Sequence, residues 1–443
     1  MKKRIISTLL ICTFVAASVF GCGKSDDAKS AEKGTSSNGK GKTLTIMASQ
    51  DWVYDAEMEL GKKFEEETGI KIDYQIVPAD QYYNLLMTKL NSGEGPDIFG
   101  GQSGSYDLVS QYQIEDNAVD LSDEPWVEKY DEFAKEQTSV DGKVYGANYY
   151  DVTTDYYLVY NKKIFKEQGL KEPTNFAEFE EVCQKLLDAG ITPFYQPVGD
   201  GWHHVMWFAE IGGQYENLTP GIVDDLNNNK TKFADNEMFV KAFEQINELA
   251  QKGYFGDNYL SDEYADLAAN VGSGEYAMTA DKPGNIKAIA EASEGKYEES
   301  DFGLMLYPVL DNDILNEHPC GPSRFIYSGS KNVDEAKQYL NYITKKDSIQ
   351  YMIDNESKIE NLPYDEGQTP SYSDDTKEFL EAHKDKAGVV FQDSIKYLNP
   401  QWMEIGQDMV SMFIGDMQPK DVVKQIDERR ATQAEAAGDT AWK

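Results

Sequence analysis

The sequence predicts an α/β protein, and three observations carry that prediction. Short apolar or alternating segments punctuate the chain, stretches of helical period separate them, and the rhythm starts twice, near Thr43 and near Tyr157. Residues 44–47 (Leu-Thr-Ile-Met) are strand-like. A helix is expected from Asp55 to Glu67, with Leu60 and Phe64 four apart on one face and Gly69 as its stop. Ile70, Ile72, Tyr74 and Ile76 alternate with polar residues, the pattern of a half-buried strand. Asp80 is the expected cap of the next helix, whose apolar face carries Tyr82, Leu86 and Leu90 and which Gly93 ends. Residues 96–99 (Pro-Asp-Ile-Phe) then lead into another short strand. This succession implies a parallel-type sheet covered by helices.

The second unit opens with a strand over 158–160, followed by Asn161-Lys162-Lys163. Asn175 starts a helix, with Glu178 three residues on as in a capping box. Phe176, Phe179, Val182, Cys183, Leu186 and Leu187 form its apolar stripe, and Gly190 terminates it. No short-period repeat is present, so the doubling reads as two α/β lobes and not a solenoid.

Ahead of both units stands Met-Lys-Lys-Arg, an apolar run from Ile5 to Phe20, and Gly21-Cys22. A basic start, a short apolar core and a small residue before the cut make a secretory signal peptide over 1–21. The run falls short of the ~20 residues that a membrane-spanning helix needs. Val19-Phe20-Gly21-Cys22 also has the form of a bacterial lipobox, with Phe20 departing from its usual small residue. Cys22 is therefore the expected lipidation site, the alternative being an ordinary cleaved leader in which Cys22 has no role. Residues 22–42 are rich in Gly, Ser, Lys, Asp and Ala and read as a flexible tether. A lipid-anchored chain would sit on the extracellular face of the bacterial cytoplasmic membrane, or on the periplasmic side where an outer membrane exists.

Composition narrows the function classes. The net charge of −36, from 42 basic and 78 acidic residues, argues against nucleic acid and against adhesion to anionic headgroups. Cys12 leaves with the leader; with Cys22 as anchor, Cys183 and Cys320 are too few for a disulfide framework or a structural zinc site. Four histidines, of which only His203 and His204 adjoin, give metal chemistry little to work with. No metal and no cofactor is expected. Carboxylates are abundant, but nothing marks two as a catalytic pair, and no Gly-x-Ser-x-Gly elbow, His-Glu-x-x-His site or Walker loop occurs.

Several motifs resemble those of extracellular solute-binding proteins of carbohydrate ABC importers, the maltose-binding-protein-like family. Leu90-Asn91-Ser92-Gly93-Glu94-Gly95-Pro96-Asp97-Ile98 is similar to that family's passage from second helix to third strand. Asp141-Gly142-Lys143-Val144-Tyr145-Gly146 resembles its approach to the hinge. Tyr160-Asn161-Lys162 with Phe165, Gly169-Leu170, Pro173-Thr174 and Phe176 follows a third motif, and Gly190-Ile191-Thr192-Pro193 the turn after that helix. Gly274-Glu275-Tyr276-Ala277-Met278 and the stretch from Gly415 to Asp427 complete the series. No piece is specific alone; their order over nearly the whole mature chain is.

The resemblance implies a two-lobed periplasmic-binding-protein-like fold with a hinge and an interlobe ligand cleft. Lobe one would comprise 43–148 and 303–355, lobe two 149–302 and 356–443, with crossings near Asn148-Tyr149 and Phe302-Gly303. It further implies a monomer that captures a sugar, an oligosaccharide in particular, and delivers it to the transmembrane subunits of an ABC permease. A secreted carbohydrate-active enzyme and a surface adhesin are the alternatives.

A sugar presents hydroxyls around an apolar C–H face, so its site needs aromatic rings and fixed hydrogen-bonding groups. Gln50, Asp51 and Trp52 follow the first strand, where loops face the crevice of an open α/β sheet; Trp52 either lines it or packs on the following helix. Gln102 and Tyr106 follow the third strand in a Gly-rich loop. Tyr150 and Asp151 lie at the mapped hinge. Asp200, Trp202 and His203 form the strongest constellation, with Trp202 as the stacking candidate and Trp207 as core. Asp281 and Lys282 stand where the family usually has an aromatic turn. Arg324 either reaches the cleft or makes a surface ion pair.

Overall fold

The computed structural model describes residues 41–151, 154–318 and 321–442. The leader, Cys22 and Cys320 lie outside the described residues. The carbonyl of Lys42 accepts the N–H of Lys71 at 2.9 Å.

The first unit runs β1 (Thr43–Ser49), α1 (Asp55–Thr68), β2 (Lys71–Val77), α2 (Ala79–Ser92), β3 (Ile98–Gln102). β1 lies between β2 and β3 and is parallel to both, with Leu44 opposite Ile72 and Ile46 opposite Ile98. The two faces of β1 explain the two helices. Leu44 and Ile46 pack with Leu60 and Phe64 of α1, whereas Met47 packs with Tyr82, Leu86 and Leu90 of α2. Each such buried side chain contributes roughly 1.5–3 kcal/mol. Gly69 ends α1 at φ 77° and Gly93 ends α2 at φ 75°, left-handed positions that a residue with a Cβ adopts at a cost. α2 does not begin at Asp80: Pro78 precedes its first residue, and the carbonyl of Pro78 accepts the N–H of Gln81 at 3.0 Å. Asp80 instead sits in the first turn, where its charge suits the helix dipole.

Six further strands follow: β4 (Gly146–Asn148), β5 (Tyr157–Asn161), β6 (Thr192–Tyr195), β7 (Tyr276–Asp281), β8 (Phe302–Met305) and β9 (Pro322–Ile326), apart from four short strands in two two-stranded ladders. One sheet has the order β2-β1-β3-β9-β4 and the other β8-β5-β7-β6. Neither is purely parallel. β9 runs antiparallel to β3 and β4, and β5 runs antiparallel to β7 and β8, placing Tyr157 opposite Asp281.

The chain leaves the first sheet after Asn148 and joins the second at Tyr157, but the expected return at 302–303 is not seen. Phe302–Met305 pairs with β5 of the second sheet, and the chain re-enters the first sheet only at Pro322. The apolar strand β8 gives β5 a ladder on its second side, so it covers an edge that would otherwise be open. Beyond it, the helices Val333–Ile343 and Lys346–Asn355 bury Tyr339, Leu340, Ile349 and Met352 against Leu44 and Phe64.

In the second unit α3 (Lys162–Glu167) is capped by Asn161, whose Oδ1 accepts the N–H of Lys163 and of Ile164, both at 3.0 Å. At α4 (Phe176–Asp188) Asn175 Oδ1 accepts the N–H of Glu178 at 3.0 Å. The return bond reaches Thr174, whose N–H and hydroxyl donate to Glu178 Oε2 at 2.9 Å, so the capping box is offset by one residue. Cys183 is buried in the α4 stripe, and Trp207 is core, its Nε1 donating to Gln196 Oε1 at 2.6 Å. Among the described residues no helix is long and apolar enough to cross a membrane.

Candidate functional site

A cavity of about 130 Å³ lies between the two sheets. Three elements of the first sheet's unit reach it. Asp51 and Trp52 stand on the short turn Gln50–Trp52 directly after β1, Tyr82 and Tyr83 on α2, and Gln102 at the end of β3. Opposite them stand Tyr156 just before β5, Lys282 just after β7, Trp202 and Tyr264. The antiparallel pairing of β5 with β7 is the reason that Tyr156 and Lys282 meet: it sets the start of one strand beside the end of the other.

The walls are two aromatic clusters. Trp52 meets Tyr82 and Tyr83 edge-on, with centroids 5.3 and 5.8 Å apart. Trp202 meets Tyr156 and Tyr264 edge-on, at 6.1 and 5.1 Å. Trp402 also lines the cavity and fixes Trp202 by donating its Nε1–H to the Trp202 carbonyl at 3.0 Å. Two polar atoms on these walls, Trp202 Nε1 and Gln102 Oε1, are buried and have no hydrogen-bond partner among the described residues. Buried polar atoms are rarely left so, and here they face a space that a polar ligand can fill.

Charge is confined to a few positions. Burial, then the nearby Asp200 carboxylate, hold the Asp51 carboxyl up at about 6. Lys282 is fully buried, and desolvation lowers its pKa. Its Nζ donates to the carbonyls of Asp151 at 2.5 Å and Thr154 at 2.6 Å and lies 4.1 Å from the Tyr150 ring centre. Asp155 and Glu210 are also buried in the cavity wall. Among the described residues no cluster of His, Cys, Asp or Glu could hold a metal ion.

Of the residues singled out in the sequence, Asp51, Trp52, Gln102, Tyr150, Trp202 and Lys282 are brought together here. The others are elsewhere, each for a physical reason. Gln50 and Asp200 line a separate groove of about 540 Å³ with Asp80, Glu263 and Met403, and Asp200 Oδ2 accepts the N–H of Tyr264 at 2.5 Å. Asp151 is buried, and its carboxylate accepts the N–H groups of Glu360 and Asn361 at 3.1 and 3.0 Å. His203 is core: Nδ1 accepts from Gln196 Nε2 at 2.8 Å while Nε2–H donates to the Ala280 carbonyl at 3.0 Å. Desolvation holds it neutral, with its pKa lowered to about 3. Asp281 is buried behind the wall and accepts the Tyr264 hydroxyl at 2.8 Å, so it positions that ring. Arg324 is fully buried in an ion pair with Glu57, neither in the cleft nor on the surface. The expected Gly-rich loop after β3 gives way to a helix, Ser105–Ser110, and the Tyr106 side chain lies outside the described residues.

Sequence reasoning missed Asp155, Tyr156, Glu210, Tyr264, Lys358 and Trp402, all in the cavity wall. It looked to the carboxyl ends of parallel strands. The Asp155-Tyr156 pair precedes a strand, and only the antiparallel course of β5 turns that end toward the cleft.

A family model described as bacterial extracellular solute-binding protein matches residues 51–350. The diacetylchitobiose binding protein DasA of Streptomyces coelicolor is 28% identical over 218 residues, 46% of this chain and 47% of that protein. The chain thus spans about half the length of this curated relative. Among solved structures, a chitin oligosaccharide binding protein superposes with a TM-score of 0.72 at 19% identity, over 90% of this chain and 100% of the other. A sugar transporter of Bacillus licheniformis in complex with stachyose gives 0.71 at 18% identity, over 88% and 100%. These likenesses establish the two-lobed fold, and with the family match over most of the sequence the chain is a member of the bacterial extracellular solute-binding protein family.

Proposed function

We propose that this protein captures a saccharide, an oligosaccharide in particular, in the cavity between its lobes and hands it to the transmembrane subunits of an ABC permease. The observation that carries this reading is the composition of the cavity wall. Two clusters of aromatic rings, led by Trp52 and Trp202, face a space edged by Gln102, Asp51 and Lys282. Rings take the C–H face of a sugar and the polar groups take its hydroxyls. Groups from both sheets contribute, so a ligand touching all of them favours the closed arrangement through contacts that an open one lacks. The relatives named as chitobiose-, chitin- or stachyose-binding agree with an oligosaccharide ligand.

The rest of the reading follows the sequence. Cys22 would carry the lipid, and residues 23–42 would tether a monomeric capture domain close to its permease. The lobes would consist of 43–148 with 322–355, and 157–317 with the C-terminal segment. Capture without turnover is part of the proposal. Calorimetry against mono- and oligosaccharides, with product analysis on the same samples, is the test. Saturable binding without products is expected. Product formation sinks the receptor reading, and attachment to a macromolecule with no small saccharide bound supports an adhesin instead.

A further inference from the structure

Asp155 and Glu210 are only 1% and 3% exposed, and both line the cavity. Asp155 stands two residues before β5, Glu210 at the C-terminal end of the short helix Met206–Ala209. The Asp155 carboxylate lies close enough to Glu210 to be the largest charge effect on it. Asp155 Oδ1 accepts the N–H of Tyr156 at 2.8 Å, but no donor among the described residues reaches Asp155 Oδ2 or Glu210 Oε2.

The basic side chains of the wall make their bonds elsewhere, although Lys282 also acts on both acids as a nearby positive charge. Lys282 gives its Nζ to two backbone carbonyls and forms no ion pair with either acid. His318 lies 3.5 Å from Asp393 Oδ2. Lys358 lies over the Tyr264 ring, 4.7 Å from its centre. Two desolvated carboxyls close together raise the cost of ionising both, which favours a proton retained on Glu210 in the empty site. Burial and then the Asp155 charge accordingly hold Glu210 well above the usual carboxylate range, with Asp393 adding to the rise and Lys282 opposing it.

We propose that this pair is an ammonium site, and that the saccharide captured in the cleft carries a protonated amine. The proposal rests on the saccharide reading above and narrows it to an amino sugar. A neutral hydroxyl leaves that proton in place. An ammonium replaces it: the proton leaves to solvent, and the two carboxylates each accept a charge-assisted bond from the ligand nitrogen. The protein's net charge of −36 also raises the local concentration of cationic ligands over neutral ones.

The test is calorimetry on the protein with three β-1,4-linked disaccharides: cellobiose, the glucosamine disaccharide with free amines, and its N-acetylated form. At pH 7 the free-amine sugar is expected to bind about 10-fold or more tightly than either neutral one. Titrations in buffers of different ionisation enthalpy should show proton release with that ligand alone. Glu210→Gln and Asp155→Asn should each abolish most of the preference. The preference of the unmodified protein is itself decisive, so the proposal stays testable if a variant fails to fold. Neutral saccharides, from this set or a wider panel, binding as tightly as the free amine would overturn the ammonium site and leave saccharide capture standing. No binding of any saccharide, amine-bearing or neutral, would overturn both.

Discussion

Arg324 and Glu57 form a bidentate pair with both side chains fully out of solvent. Nε donates to Oε1 at 3.1 Å and Nη2 to Oε2 at 2.7 Å. The same Nη2 donates to the Trp52 carbonyl at 2.5 Å. A charge on β9 thus holds α1 and the backbone of a cavity-wall tryptophan in one arrangement, acting from beneath the cleft and not within it.

Arg324→Met leaves Glu57 buried without a counter-charge, and removing one partner of such a pair costs about 3–5 kcal/mol. The double change Arg324→Met with Glu57→Leu removes both charges and should recover most of that loss, because apolar replacements of a buried pair are often close to neutral. Urea denaturation of the two variants checks this. Equal destabilisation of both would mean that the charges are not what couples the residues.

Trp202 and Trp207 separate contact from core. Trp207 is fully buried, and its truncation to alanine should cost about 3–5 kcal/mol of stability. Trp202 is half-buried and faces the cavity with an unpartnered Nε1. Trp202→Ala should lower saccharide affinity about 10-fold or more with a much smaller loss of stability. Equal affinity with a large drop in melting temperature would make Trp202 a core residue.

Much of the fold could be read from pattern, and less of the site. The stripe of α4, the Gly stops after α1 and α2, and the burial of Trp207 and Cys183 follow from local period and residue type, which a sequence displays directly. The antiparallel courses of β5 and β9 depend on pairing between distant segments, and no local pattern encodes that. The errors at the site have the same origin. His203 has the residue type of a ligand donor, and only its partners Gln196 and Ala280 show it to be structural. Asp155 and Tyr156 acquire their place through the register that sets Tyr157 opposite Asp281.

The buried histidines predict a sensitivity to acid. Desolvation lowers His203 to about 3 and His204 to about 4, below their ordinary value near 6.5. The unfolded chain therefore binds protons that the folded one refuses, and stability is lost as pH falls from 6.5 toward 4. Each histidine contributes about 1.4 kcal/mol per pH unit in that window. Asp51 and Asp107, held up at about 6 and about 7, pull the other way, so the readout is the difference between proteins. His204→Gln should show a shallower fall of stability between pH 6.5 and 4 than the unmodified chain. Parallel curves would mean that His204 is charged in the fold.

Asp151 joins two segments that pass between the lobes. It lies in the connection from β4 to β5, while its carboxylate holds the N–H groups of Glu360 and Asn361. Those residues lie between the helix Lys346–Asn355, packed on the first sheet, and the helix Asp374–His383, whose Phe379 ring lies 4.9 Å from that of Tyr157. Asp151→Ala leaves two N–H groups, that of Glu360 buried, without their acceptor, at about 1–3 kcal/mol. That energy converts to amide exchange at Glu360 and Asn361 faster by about 10-fold or more, since each 1.4 kcal/mol is a factor of ten. The two segments must move together when the lobes open or close, so loosening their tie should also weaken ligand binding through the closed form. Exchange unchanged at these two amides in a folded Asp151→Ala protein would show that other contacts hold the segments.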